Sequence, residues 1–200
     1  MPFPLYLRSF PENAGVSQSL LMKSRPYPLT VCRWLGAPLV SERVLLRAWA
    51  MGDEQAIEAL KMDPEVRRYL GGPQSAEKAR SGTAQQIAAQ HWGHFVVVLR
   101  DGDAVVGTVS LDCKRGPWEI SLQLRRDQWG RGLMTEAVTT AVAWFYDTAS
   151  EGGDLIAVTQ ADNVRTRALL LRCGAFQQLA FTEHGAEQAQ YLIPRPEDQG

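Results

Sequence analysis

Two hundred residues with 45% hydrophobic content suit one globular domain, large enough to bury most of its apolar surface. The formal net charge of −1 sets up no overall field toward nucleic acid or an anionic membrane. No apolar run approaches a membrane-spanning length, and Cys32, Cys113 and Cys173 lack the spacing of a zinc site or a disulfide framework, which suits a reducing cytoplasm.

Residues 1–38 carry Pro2, Pro4, Pro11, Pro26, Pro28 and Pro38 and sustain no helical or strand period. They read as an N-terminal extension, poorly ordered or loosely packed, with Met22 an alternative start. A second reading is an arm that covers a groove or pairs with another subunit. A signal peptide does not fit: the first charge is Arg8, and the apolar runs are short and broken by proline.

Regular patterning begins near Ser41. Arg43 to Trp49 reads as a strand, and Gly52-Asp53 supplies a helix start with Asp53 as its cap. Ala56, Ile57 and Leu60 share a face of that helix. A second short helix is expected from Pro64, and Gly71-Gly72-Pro73 ends it. Ser75 to about Gln90 is polar and helix-prone. His91 and His94 flank Trp92 without a further ligand at metal spacing, so both read as structural or surface histidines and no metal is expected.

Phe95 to Leu99 and Ala104 to Leu111 are apolar runs joined by Arg100-Asp101-Gly102-Asp103, a hairpin signal. Val105, Gly107, Val109 and Leu111 are expected on one face. Gly116 then turns the chain into Trp118 to Leu124, a strand with Glu119, Ser121 and Gln123 on one face and Ile120, Leu122 and Leu124 on the other. A charged turn leads to Gly130 and Gly132 and to a helix opening at Thr135 or just before, with Met134, Ala137, Val138, Ala141, Val142 and Phe145 at helical spacing. A glycine-bearing turn that opens a helix can hold an anion on bare N–H groups, and Arg125, Arg126 and Arg131 add charge there. The same turn can equally be plain architecture. There is no Gly-Lys-Ser/Thr ending and no third glycine at dinucleotide-binding spacing.

Leu155 to Thr159 reads as a buried strand, parallel to its predecessor through a right-handed crossover. A helix follows from Asp162-Asn163 to Cys173-Gly174. Ala175 to Phe181 and Gln188 to Ile193 form a closing hairpin across a loop, Thr182 to Glu187. The expected fold is α/β: a mixed sheet with antiparallel N-terminal strands, a parallel pair in the middle and a C-terminal hairpin, flanked by helices. It occupies residues 39–194, with 195–200 as a tail.

This order resembles the GNAT superfamily of N-acetyltransferases, and its wording looks like the RimJ/RimL-type branch, the ribosomal-protein-alanine acetyltransferases. Ser41-Glu42-Arg43-Val44-Leu45-Leu46-Arg47 is similar to that branch's opening phrase, Thr/Ser followed by Glu-Arg-Leu-x-Leu-Arg. Asp63-Pro64-Glu65-Val66 with Tyr69-Leu70 resembles its early helical phrase. Trp129-Gly130-Arg131-Gly132 with Thr135-Glu136-Ala137 resembles its acyl-CoA loop, and Asn163 with Thr166, then Gly174 and Phe176, its late motif. Three places depart from the pattern. Met134 replaces the usual Gly or Ala at the loop's end, Leu170 stands where many members have a tyrosine acid, and Ala175 is an extra residue.

The resemblance implies a splayed parallel pair and an attack of a primary amine on the thioester of acetyl-CoA. The amine is a protein α-amino group or a small molecule. It further implies that Leu122 and Leu124 pair with the pantetheine arm through their backbone. Trp129, Gly130, Arg131, Gly132, Leu133, Met134 and Thr135 form the diphosphate loop. A backbone N–H near Leu124 stabilises the oxyanion, and Asn163 is either a helix cap or a pantetheine contact. Glu119 is a candidate base or a solvated strand carboxylate. His184, with Glu183, is a candidate base or an exposed turn. Thr166 is a candidate proton donor to the departing thiolate or an ordinary first-turn residue. The expected partners are acetyl-CoA and the amine, with neither nucleic acid nor membrane, in a monomer or homodimer. The rival reading is a degenerate acyl-CoA-binding module that senses or scaffolds.

Overall fold

The computed structural model describes residues 36–113, 116–149 and 153–196. Most of the expected N-terminal extension, Cys32 included, lies outside the described residues. Eight strands form one sheet in the order β1-β2-β3-β4-β5-β6-β8-β7. These are β1 (Leu39–Val40), β2 (Val44–Arg47), β3 (His94–Leu99), β4 (Val105–Asp112), β5 (Trp118–Leu124), β6 (Leu155–Gln160), β7 (Phe176–Glu183) and β8 (Ala186–Ile193). Every neighbouring pair is antiparallel except β5 and β6. The mixed α/β sheet anticipated from the sequence is therefore present, with its parallel pair in the middle.

Helices α1 (Glu54–Met62) and α2 (Ala76–Ala89) precede β3, α3 (Leu133–Thr148) follows β5, and α4 (Val164–Arg172) follows β6. The main core lies between α3 and the sheet: Ala137, Val138, Ala141, Val142 and Phe145 recur at helical spacing and meet Val44, Leu46, Phe95, Val97, Val109, Leu111 and Ile120. On the opposite face, Ile57 of α1 packs with Trp49, Val96 and Val98. Alternation along β3 thus assigns each strand residue to one of the two faces.

Several local expectations are corrected. Strand β2 ends at Arg47 because the chain then turns to serve Asp53. Asp53 does stand at the N-cap of α1 as expected, but its carboxylate makes no capping hydrogen bond to the helix. It is 5% exposed and takes both Nη atoms of Arg47, at 2.7 and 2.8 Å, and the N–H of Ala50 at 2.8 Å. Burying a carboxylate demands such a full set of donors. The helix expected at Pro64 is a turn closed by Arg67 N–H on the Asp63 carbonyl. Asp63 Oδ1 accepts from Glu65 and Val66, and the Arg67 guanidinium folds back onto the carbonyls of Leu70 and Gly72. In β4 the pairing to β3 slips between Val97 and Val98, so Val106 rather than Val105 enters the main core. One inserted residue moves what precedes it to the other face. The closing hairpin has a two-residue turn, His184-Gly185, in place of the expected six-residue loop. Both residues hold positive φ (52° and 76°), the twist that lets two residues join antiparallel strands.

Candidate active site

Strands β5 and β6 are paired only at their starts, Trp118 with Leu155 and Glu119 with Ile156. Beyond these they diverge, because each keeps full register with its other neighbour, β5 with β4 through Leu124 and β6 with β8 through Gln160. The bulge in β4 adds twist on the side to which β5 is held. A close packing of Trp92, Trp118, Trp144 and Phe145 fills the closed end.

The divergence opens a groove of about 830 Å³. Its walls are Ile120 to Leu124 of β5, Ala157 to Thr159 of β6, the start of α3, and the face of α4 carrying Thr166 and Leu169. Val66, Tyr69 and Leu70 overhang it, and the Tyr69 hydroxyl donates to the Asp162 carbonyl at 3.2 Å, linking the 63–72 segment to the far wall. A second cavity of about 740 Å³, bounded by Leu60, Asp63, Arg125, Arg126 and Asp127, shares Val66, Trp129 and Arg165 with it.

Backbone polarity explains what the groove can hold. Arg125 N–H bonds the Val106 carbonyl of β4 at 2.8 Å, so the alternation along a strand points the N–H groups of Leu122 and Leu124 away from β4, into the slot. Among the described residues no strand pairs them there, since β6 has already parted. The Leu124 carbonyl on that side is taken by Trp129 Nε1 at 2.8 Å. The Trp129 ring in turn carries the guanidinium of Arg165, 4.6 Å from its centre, so tryptophan bridges the slot's open end.

At the start of α3, Gly130 and Gly132 hold φ of 75° and 76°, a conformation costly for other residues. The helix begins at Leu133, just before Thr135 as expected. The N–H groups of residues 130–135 have no hydrogen-bond partner among the described residues. The helix start is therefore bare, and its unsatisfied donors together with the helix dipole favour an anion. The one carboxylate in the first turn, Glu136, is turned away. It accepts from Ser41 Oγ (2.6 Å), Arg43 N–H (2.6 Å) and Arg43 Nε (2.8 Å). Burial raises its pKa, but these hydrogen bonds and the Arg43 charge outweigh that and hold the carboxyl below the usual range.

Of the residues named from sequence, Leu122, Leu124, Trp129, Gly130, Gly132, Leu133, Met134, Thr135, Asn163 and Thr166 all line this groove. Arg131 does not: its side chain donates to Gln128 Oε1 and its carbonyl accepts from Arg43. Met134 faces the core at 4% exposure, beside Gly107, and does not crowd the loop. Asn163 is a helix cap, Oδ1 accepting from Thr166 N–H and Nδ2 donating to Thr159. Glu119 lies at the closed end and is not among the lining residues. His184 sits at the tip of the last hairpin with its side chain 79% exposed, outside the groove. Sequence reading missed Gln123, Tyr69 and Arg165 as wall residues, since nothing in their spacing sets them apart. Among the described residues no three potential metal ligands cluster, and no helix is long and apolar enough to cross a membrane.

A divergent parallel pair beside a bare, glycine-opened helix start is the layout of an acyl-CoA-dependent transferase. The chain belongs to the GNAT acetyltransferase family, whose domain model matches residues 43–175. It is 27% identical over 108 residues to the uncharacterized N-acetyltransferase p20 of Bacillus licheniformis, covering 50% of this chain and 61% of p20. In fold it is similar to a GNAT-family acetyltransferase of Bacillus anthracis (TM-score 0.70, 20% identity, 78% of this chain and 98% of that one). It is also similar to the spermidine N-acetyltransferase of Vibrio cholerae, solved with CoA and spermine (TM-score 0.64, 15% identity, 76% and 97%).

Proposed function

We propose that this protein transfers the acetyl group of acetyl-CoA to a primary amine, in the manner of the RimJ/RimL-type branch. The single observation carrying the proposal is the unpaired slot face of β5 running into the bare start of α3. Pantetheine lies against Leu122 and Leu124 as an added strand would. The diphosphate sits on the N–H groups from Gly130 to Thr135. The amine attacks the thioester carbonyl, and the slot-facing N–H at Leu124 stabilises the oxyanion, the largest electrostatic contribution available here. The C–S bond then breaks, and Thr166, whose hydroxyl has no hydrogen-bond partner among the described residues, relays a proton to the thiolate while taking one back from solvent. The amine loses its own proton to water in the groove, since Glu119 stands at the closed end outside the lining.

The acceptor approaches from the side of Val66, Tyr69 and Leu70, where the groove continues into the second cavity. That breadth suits a peptide amino terminus, in keeping with the wording of the four sequence phrases, and also admits a flexible small amine. The test is release of CoA thiol from acetyl-CoA in the presence of peptides with free amino termini and of small amines. Turnover on either class supports the proposal. Tight CoA binding with no turnover on any acceptor would favour the sensor reading instead.

A further inference from the structure

Arg43 reaches the diphosphate loop from β2's approach, 88 residues before Arg131 in the chain. Its Nη1 donates to the Arg131 carbonyl at 2.9 Å, and its Nε and main-chain N–H are both held by Glu136. These bonds fix the guanidinium plane, since Glu136 is itself fastened by Ser41 and the N–H of Val44. Nη2 is left with no partner among the described residues and lies 3.4 Å from where a Cβ on Gly132 would stand. The side chain is 48% exposed and stands beside Gly132 at the margin of the groove, outside its lining.

An anchored guanidinium with one free N–H edge beside the glycine of an anion cradle is suited to a phosphate oxygen: it is always charged, and planar donors match phosphate geometry. Glu136 would otherwise repel an anion at the helix start. Pairing it with Arg43 cancels that charge and aims the remaining donors past it. We propose that Arg43 is a direct ligand of the 5′-diphosphate of acyl-CoA, held in place by Glu136. This rests on the acyl-CoA reading above, and it is carried by the side chain's unpaired edge rather than by the helix start.

The test is calorimetric titration of the full chain with CoA and with 3′-dephospho-CoA, repeated at rising potassium chloride. Arg43→Met should weaken both ligands by the same factor, about tenfold for one lost charge-assisted hydrogen bond. It should also flatten the salt dependence relative to wild type. Wild-type affinity in the variant would overturn the inference. So would a penalty that vanishes with dephospho-CoA, or a salt dependence as steep as wild type, the mark of a merely displaced loop. Should Arg43→Met fail to fold, Arg43→Lys carries the test: it keeps the charge but not the fork, and must bind both ligands several-fold more weakly. Failure of the wild-type chain to bind CoA would overturn the acyl-CoA reading itself, an outcome distinct from all of these.

Discussion

Gly107 of β4 lies directly beneath the carbonyl of Gln123 on β5, so close that a Cβ at that position would stand 2.5 Å from the oxygen. The same Cβ would be 3.2 Å from Leu124 Cδ1 and Met134 Cε. The absence of a side chain therefore lets β4 hold β5 where its slot face opens, and it gives Met134 room to point into the core. Gly107→Ala forces either β5 or the bulge to shift, a strain of about 1–3 kcal/mol. Thermal unfolding should show a fall of several degrees, together with weaker CoA binding. An unchanged midpoint would mean that the strand pair relaxes freely.

Gly132→Val tests the cradle separately from the core. The backbone there is left-handed (φ 76°), and a side chain would press toward Arg43 Nη2 at 3.4 Å. Forcing an L-residue into that conformation costs on the order of 1–2 kcal/mol locally. The loop is predicted to adopt another conformation and to lose its aligned N–H groups. Affinity for CoA, measured by titration, should drop at least tenfold while the circular dichroism spectrum stays that of the wild type.

The packing of α3 against the sheet was legible in the sequence because it rests on periodicity. Phe145 and its partners recur at three and four residues, and Ile120 and Leu124 alternate with polar neighbours. The glycine turn before α3 was equally plain, since only a special backbone explains Gly130 and Gly132 so close together. The bulge at Val106 was not, because one extra residue in an apolar run leaves the composition unchanged. Nor was the meeting of Ser41 and Arg43 with Glu136. Both phrases stood out, but contact between residues 93 positions apart is a product of the sheet's closure and has no local signature. His184 was drawn toward the site by its chemistry, whereas turn geometry placed it in solvent.

Lys61 gives a pH signature unrelated to the groove. It is 8% exposed, donating to Thr83 and Gln86 with Trp49 beneath its ammonium, and among the described residues no salt bridge joins it to a carboxylate. Burial lowers its pKa from 10.5 to about 8. Between those two values the folded state binds fewer protons at this site than the unfolded state does. Stability at this site therefore rises with pH across that window, and the cost of burying the charge is fully present below it. Urea midpoints should reveal this slope in the wild type and lose it in Lys61→Met. A slope that persists in the variant would assign it to another group.

Thr166 and His184 separate the groove from its surroundings. Thr166 lines the slot with a hydroxyl that nothing in the described structure engages, while its N–H is held by Asn163 at 3.3 Å. Thr166→Val keeps the shape and the capped helix but removes the proton donor. The expected result is a fall in kcat of about 10²-fold, the lower range for a lost general acid, with CoA affinity unchanged. His184→Ala, altering an exposed turn side chain, should leave kcat and KM at wild-type values. If Thr166→Val instead retains full turnover, water rather than the threonine protonates the thiolate; if His184→Ala loses turnover, the acceptor must extend along the sheet to the last hairpin.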